Sequence, residues 1–297
     1  MNAAAQQFDA ALRVNEPMSR HTSWRVGGTA DMFFTPTSRE QLIEFIRMQD
    51  DDLPLTWVGL GSNLLVRDGG IRGAVIAISP VMGELTHQGG GLVEAEAGLA
   101  CAVLARNCVR WEIGPAEFFA GIPGTIGGAL AMNAGAFGGE TWNNVTAVTV
   151  VNRAGEVITR QRDEYDVGYR HARGPVADEW FVAASFQFEP EFDTDMARMR
   201  AVVQERKQKQ PLGLPSCGSV FRNPEGDHAA RLIEACGLKG YRIGGAEVSP
   251  KHANFIINTG DATAADIESL IDHVAQTVAT EQGVELQREV RIMGEAA

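Results

Sequence analysis

The sequence predicts an α+β protein built from three small units, and three observations carry that expectation. The first is length: 297 residues exceed what one compact core usually organises, so the chain should subdivide. The second is periodicity, because short apolar runs of strand length alternate with helical stripes along the chain. The third is glycine, present 33 times and so at about 11% against a usual share of about 7%. Eight of these fall between Gly114 and Gly139, which suggests backbone brought close to something.

The elements follow in order. Ser38 with Gln41 makes a capping-box pattern that opens a helix over 38–49, with Leu42, Phe45, Ile46 and Gln49 on one mostly apolar stripe. Short buried strands are expected over 55–60 and 74–78, flanking the turn Gly59-Leu60-Gly61-Ser62-Asn63-Leu64-Leu65-Val66-Arg67-Asp68. A second unit begins with a strand over 92–98 and a helix over 99–111. After a Gly-rich stretch it continues with strands over 145–152, 156–160 and 180–189, where Val182, Ala184, Phe186 and Phe188 alternate with their neighbours. A charged helix over 193–209 carries Met196, Met199 and Val203 on its apolar side. The third unit has a strand over 219–222, a helix over 228–236 stopped by Gly237, and a strand over 253–258. Its long helix, 263–281, is capped by Thr263-Ala264-Ala265-Asp266, with Ile267, Leu270, Ile271, Val274 and Val278 as core stripe. The strand-like tail, 285–293, is expected to rejoin an earlier unit.

Composition narrows the classes. Apolar residues at 44% and charged residues at 22% are an ordinary globular balance that excludes wholesale disorder. The net charge of −12 opposes bulk nucleic-acid binding, while an anionic small molecule needs only local cations and backbone N–H groups. Cys101, Cys108, Cys217 and Cys236 form no C-x-x-C pair and no metal-ligand set with the histidines. They read as reduced buried thiols, with a Cys101–Cys108 bridge as the alternative. The opening MNAAAQQFDAALRV has no leader pattern, and no apolar run approaches the ~18 residues of a spanning helix. A soluble, cytoplasmic, monomeric protein without metal, membrane or nucleic-acid partner is expected.

The glycine clusters fail the familiar phosphate motifs. Gly59-Leu60-Gly61-Ser62-Asn63-Leu64 puts Leu64 where a dinucleotide fingerprint needs glycine, and an apolar strand-like run follows it. Gly121-Ile122-Pro123-Gly124-Thr125-Ile126-Gly127-Gly128 lacks the lysine of a P-loop. Both still suit an anion cradle, since glycine admits φ > 0 and close backbone approach, and Ser62, Asn63, Thr125 and Asn133 offer short hydrogen bonds. The competing reading is tight turns between strands. Ser219 reads as a proton donor, a helix cap or an ordinary strand serine. Cys217 lacks a matching His-Asn pair for nucleophilic work. Arg170, Glu289 and His252 read by default as surface or satisfied polar residues, and no spacing ties them together.

Taken in order, Thr22-Ser23-Trp24-Arg25-Val26-Gly27-Gly28, residues 59–68, residues 121–138, Gly168-Tyr169-Arg170, residues 218–224, residues 246–258 and Glu289-Val290-Arg291 resemble the UDP-N-acetylenolpyruvoylglucosamine reductases. The resemblance covers nearly the whole chain and rests on the order of seven segments. It implies an FAD-binding fold of the vanillyl-alcohol-oxidase type plus a smaller substrate domain: 1–79 joined by the tail 285–297, then 80–208, then 209–284. It implies noncovalent FAD, held by Gly59, Gly61, Ser62, Asn63, Leu64, Gly121, Gly124, Thr125, Ile126, Gly128, Asn133 and Gly135, with NADPH as co-substrate. Hydride would pass from flavin N5 to C3 of UDP-N-acetylglucosamine enolpyruvate. Arg170 matches the family's cation, Glu289 the acid that shares a proton with the enediolate, and Ser219 the serine that protonates C2. Arg222, Asn223, Lys209 and His252 match contacts to the UDP-sugar.

Two departures are visible. A single charged helix fills residues 188–206, so the chain resembles the shorter type without an inserted tyrosine loop. Ala172 stands where many relatives have serine, so the support of Arg170 is expected to differ. The rivals are a noncovalent FAD oxidase on the same fold and a nonenzymatic nucleotide-sugar binder. Residues 59–68 hold neither His nor Cys for covalent flavin attachment, which disfavours the many oxidases that use one.

Overall fold

Amphipathic stripes and strand pairs sort the chain into two sets of segments, each closing its own core. The computed structural model describes residues 8, 10–78 and 80–297; the leader reading over residues 1–7 lies outside them. Unit 1 takes the chain up to Arg13, then Phe33–Leu60 and Ala74–Arg206, and unit 2 takes Val14–Met32, Gly61–Gly73 and Lys207–Ala297. Helices and strands are mixed in both, as an α+β protein requires.

Unit 1 is organised by a five-stranded antiparallel sheet in the order Val157–Gln161, Val145–Asn152, Glu179–Gln187, Leu92–Glu96, Leu85–Gly89. Its register sets Val148 opposite Ala184 and Ala184 opposite Ala95, and all three are buried. Before it come helix α1, Arg39–Arg47, and a parallel pair that aligns Leu55–Val58 with Ala74–Ala77. The Ser38 hydroxyl accepts the Gln41 N–H at 3.2 Å, the expected cap. The reciprocal half slips by one residue, because the Gln41 side chain accepts from the Thr37 N–H at 2.7 Å. Phe45 on the buried face stacks on Phe34 at 3.9 Å, with Phe8 edge-on to both.

Helix α2, Cys101–Arg110, buries Cys101, Leu104, Ala105, Cys108 and Val109. Burial pushes the Cys101 and Cys108 thiols up to about 12, and both are free, so the alternative bridge is not formed. The Gly-rich stretch contains a helix the sequence hid: α3, Ile126–Met132, capped by Thr125 and ended by Asn133 at φ 43°. Glycine lowers helix propensity by about 1 kcal/mol per residue, so Gly127-Gly128 masked it. Gly127 has a packing reason, since a Cβ there would stand 3.0 Å from the Ala97 methyl. The charged helix α4 runs Met196–Lys209. Only Met199 of its expected stripe is buried, and Val203 is 41% exposed.

Unit 2 has a three-stranded antiparallel sheet, Arg242–Ile243, Ala246–Val248 and Ile256–Asn258. It packs with α5, Ala229–Ala235, and α6, Ala264–Gln282. Ile267, Leu270, Ile271, Val274 and Val278 enter one core with Leu232, Ile233, Val248 and Ile256. Both halves of the Thr263/Asp266 capping box form, and Gly283 ends α6 at φ 68°. Asp68 adds a second cap, accepting the Ala264 and Ala265 N–H groups at 3.0 and 2.9 Å. In the tail, Arg291–Met293 pairs in parallel with Leu64–Val66. The strand expected over 219–222 is reduced to one bridge, Phe221 to Arg288, and that over 253–258 begins only at Ile256. Among the described residues no helix is long and apolar enough to cross a membrane.

Candidate active site

The first glycine cluster is built around a residue that tolerates no side chain. Gly61 has φ +62°, and a Cβ there would lie 1.9 Å from the His21 carbonyl oxygen. Its own carbonyl accepts the Ser23 N–H at 3.0 Å. Trp24, fully buried, is tied to the unit 2 sheet by its indole N–H to Ile256 O at 2.8 Å. Leu64, expected beside the cofactor, is buried at the start of its strand. Cys217 donates towards Leu64 O at 3.3 Å, and burial pushes its thiol up to about 12. It is therefore a packed thiol and not a nucleophile. The Asn63 side-chain amide donates to Glu289 O at 3.1 Å, and the Asn63 backbone carbonyl accepts the Arg291 N–H at 3.0 Å. Asn63 thus connects the glycine turn to the segment carrying Glu289 and Arg291.

Within unit 1 the two clusters meet. A Cβ on Gly59 would stand 2.7 Å from the Thr125 hydroxyl oxygen, and one on Gly121 would meet Ala136 and Phe137. Gly121 O accepts from the guanidinium of Arg206, which burial holds below its ordinary pKa. The N–H groups of Gly124, Ile126 and Gly127 go to Ile122, Leu99 and Ala97 carbonyls at 3.0, 2.8 and 2.8 Å. The expectation that successive N–H groups point into one concavity is corrected at these three residues. At Gly127 the missing side chain makes room for Ala97. Gly128 donates to the Thr125 hydroxyl at 3.4 Å. Asn133 is 1% exposed; its amide donates to Glu140 and to Gly168 O at 2.9 and 3.0 Å and accepts the Trp142 N–H at 3.1 Å. That side chain is committed to the fold. Gly135 pairs with Glu140, and a Cβ on it would come 2.5 Å from Gly139 O. Side-chain-free positions where two turns converge fit a dinucleotide cofactor such as FAD, whose diphosphate needs close backbone approach.

Arg170 occupies the tip of a hairpin, Asp166–Gly168 with His171–Arg173. Its φ is +54°, a left-handed conformation that costs a non-glycine residue about 1–2 kcal/mol. Strain of this kind collects at functional positions. The guanidinium lies against the carbonyls of Asn133 and Gly135 at 3.5 and 3.3 Å and over the Tyr169 ring at 4.9 Å. Ala172, half-buried, packs against the unit 1 core, and backbone carbonyls support Arg170, in keeping with the expectation that its support would differ from that of relatives with serine there.

In unit 2, the residues that follow Ser219 pair through their backbone with the segment carrying Glu289. The Glu289 N–H donates to Val220 O at 2.8 Å, and the Arg222 N–H to Gln287 O at 2.8 Å. Ser219, Arg222 and Glu289 are half-buried, neither sealed in the core nor free on the surface. Asn223 behaves as a helix cap, its side-chain oxygen accepting the Ala229 N–H at 3.1 Å. His252 stands edge-on to Phe255 at 4.8 Å; burial lowers its pKa, so it is neutral at pH 7. Lys209 is the last residue of α4. The residues missed in the sequence, Asp68, Arg206 and Asn254, all act on backbone groups. No residue type or spacing announces such a role.

Comparison with known proteins bears on the same segments. Residues 210–293 match a family model described as UDP-N-acetylenolpyruvoylglucosamine reductase, C-terminal domain, and residues 30–160 one described as FAD binding domain. The chain is 57% identical over 286 residues to the UDP-N-acetylenolpyruvoylglucosamine reductase of Alkalilimnicola ehrlichii, covering 96% of this chain and 95% of that one. It is 56% identical over 283 residues to the protein of the same name from Methylococcus capsulatus, covering 95% and 93%. Among solved structures it is similar to UDP-N-acetylenolpyruvylglucosamine reductase from Thermus caldophilus, with a TM-score of 0.81 and 31% identity over 95% of this chain and 100% of that one.

Proposed function

This chain belongs to the UDP-N-acetylenolpyruvoylglucosamine reductase family, and from that premise we propose which of its residues carry out the NADPH-dependent reduction of UDP-N-acetylglucosamine enolpyruvate to UDP-N-acetylmuramate. It is an FAD-containing oxidoreductase of bacterial peptidoglycan precursor synthesis. FAD, when bound, supplies the hydride that NADPH has delivered. In unit 1, Gly128 would give its diphosphate room, with Gly59 and the Thr125 hydroxyl beside it.

The observation that carries the assignment is the backbone contact between the residue after Ser219 and Glu289, whose N–H reaches Val220 O at 2.8 Å. Conjugate addition of hydride to the enolpyruvyl group builds negative charge on its carboxylate, which needs preplaced partners in a dry site. Arg170 would hold that carboxylate, its backbone strained and its guanidinium steadied by two carbonyls. Glu289 would share a proton with the enediolate oxygen. Ser219 would give its hydroxyl proton to C2; a serine is a weak acid in water, so its competence comes from proximity to a strongly basic carbon. Arg222, Lys209 and His252 would contact the UDP-sugar, while Asn223 would serve it only through the helix it caps. The domain division 1–79 with 285–297, 80–208 and 209–284 belongs to this reading, as do a cytoplasmic location and a monomeric state.

The test is an anaerobic two-step titration. The purified protein should be yellow, bleach with NADPH, and regain colour on adding the enolpyruvyl substrate. Ser219→Ala should bleach normally but recolour at least about 100-fold more slowly. Equal loss of both steps would remove the proton-donor role. Failure of the wild-type protein to recolour would remove the substrate assignment.

A further inference from the structure

Ser219 stands at the head of an extended segment whose two edges are held by different means. On one edge the chain pairs with the segment of Glu289: the Glu289 N–H reaches Val220 O, the Arg222 N–H reaches Gln287 O, and Phe221 bridges Arg288. In this antiparallel pattern the N–H and C=O of Phe221 itself point away from that segment. They meet the side chain of Asn254. Its Oδ1 accepts the Phe221 N–H at 2.9 Å, and its Nδ2 donates to Phe221 O at 2.8 Å. The backbone carbonyl of Asn254 completes the contact by accepting the Val220 N–H at 2.9 Å. Asn254 is 2% exposed.

A primary amide presents a donor and an acceptor side by side, which is what the edge of a peptide presents in return. Asn254 therefore stands in for one residue of a missing strand, and it does so where water cannot. We propose that Asn254 is a positioning residue for the proton donor, fixing residues 219–221 against the segment of Glu289 so that the Ser219 hydroxyl and the Glu289 carboxyl address one substrate together. This rests on the reading of Ser219 as the donor to C2. Misplacing a reacting group by about 1 Å costs on the order of 100-fold in rate, so Asn254 should matter chiefly to the step that uses Ser219.

The conservative variant Asn254→Asp makes the test sharp. A protonated carboxyl keeps one donor and one acceptor in the same places, whereas an ionised one sets a second acceptor against Phe221 O. Burial raises the pKa of the new group. In the FAD-loaded enzyme, recolouring by the enolpyruvyl substrate should be near the wild-type rate at low pH. It should fall through one new ionisation to about 100-fold below wild type, while bleaching by NADPH is unchanged. His252 on the same segment, and Arg222, Arg288 and Glu289 on the facing ones, are present in wild type as well. A limb seen only in the variant therefore belongs to residue 254.

If Asn254→Asp does not fold, Asn254→Ala isolated with FAD bound should bleach normally and recolour about 100-fold slowly. Added to Ser219→Ala, either change should cost little more, because both act through one hydroxyl. Wild-type recolouring across pH, or equal slowing of both steps, would overturn the proposal while leaving Ser219 in place. Full activity of Ser219→Ala would instead overturn the reading on which it rests.

Discussion

A glycine can be required by the fold, by the ligand, or by both, and these cases separate at single positions. Gly61 is required by the fold: its φ of +62° and the His21 carbonyl 1.9 Å from a built Cβ leave no place for a methyl. Gly128 is different. It lies in the first turn of α3, and the nearest atom to a built Cβ is the Thr125 hydroxyl oxygen at 3.7 Å, an ordinary contact. Gly128→Ala should therefore leave the apoprotein as stable as wild type or raise it by up to about 1 kcal/mol, the helix-propensity difference. If Gly128 faces the FAD diphosphate, the same methyl should weaken FAD binding, read as loss of colour on dialysis and a higher dissociation constant in fluorescence titration. Undiminished FAD affinity in Gly128→Ala would place the cofactor elsewhere. Gly61→Ala should lower apoprotein stability and FAD binding together.

Helix α6 shows how an element is fixed by signals that agree, and how a distant turn reinforces it. Thr263 and Asp266 cap it reciprocally, Asp68 takes two more N–H groups, and Arg67 grips Glu268 through two bonds of 2.9 and 2.7 Å. The hydrogen bond from Arg67 holds the Glu268 carboxyl below its ordinary value of 4.5, and backbone bonding at Thr263 lowers Asp266 below 3.8. Because both folded values are depressed, the stabilisation is complete above the ordinary values and is lost as pH falls through the folded ones. Glu268→Gln should lower the thermal midpoint at pH 7 by roughly 2 °C and flatten the acid limb below pH 4.5; an unchanged acid limb would remove this pair from the acid response. Stripe and cap both pointed to α6 in the sequence. The helix α3 was hidden because its glycines, needed against Ala97, contradict helix propensity. The strand at Ser219 was overread because a buried asparagine replaces half its partners, and hydrophobic alternation does not register that substitution. Asn133, Asn223 and Asn63 illustrate the same limit at the site. An amide in a motif looks alike whether it binds a ligand, caps a helix or ties two strands, and here each has a backbone partner in its own unit.

At the scale of the whole molecule, charge and ligand chemistry oppose each other. The chain carries 26 basic against 38 acidic residues, a net charge of −12, while FAD, NADPH and a UDP-sugar are all anions. The cations assigned to the reaction act at contact range, whereas net charge acts over a Debye length, about 30 Å at 0.01 M salt and about 8 Å at 0.15 M. At low ionic strength an approaching dinucleotide meets the field of the whole molecule, which repels it. Added salt removes that repulsion before it weakens contacts inside a shielded site. The apparent second-order rate of flavin bleaching by NADPH should therefore rise severalfold between about 0.01 and about 0.15 M NaCl, then level or decline. Bleaching by an uncharged N-alkyl dihydronicotinamide, which feels no such field, should stay flat over the same range and so exclude a salt effect on the hydride step. A monotonic fall with salt for NADPH from the lowest concentration would mean that local cations govern the encounter as well as the contact. The acidic balance of the chain would then have no bearing on how its anionic substrates arrive.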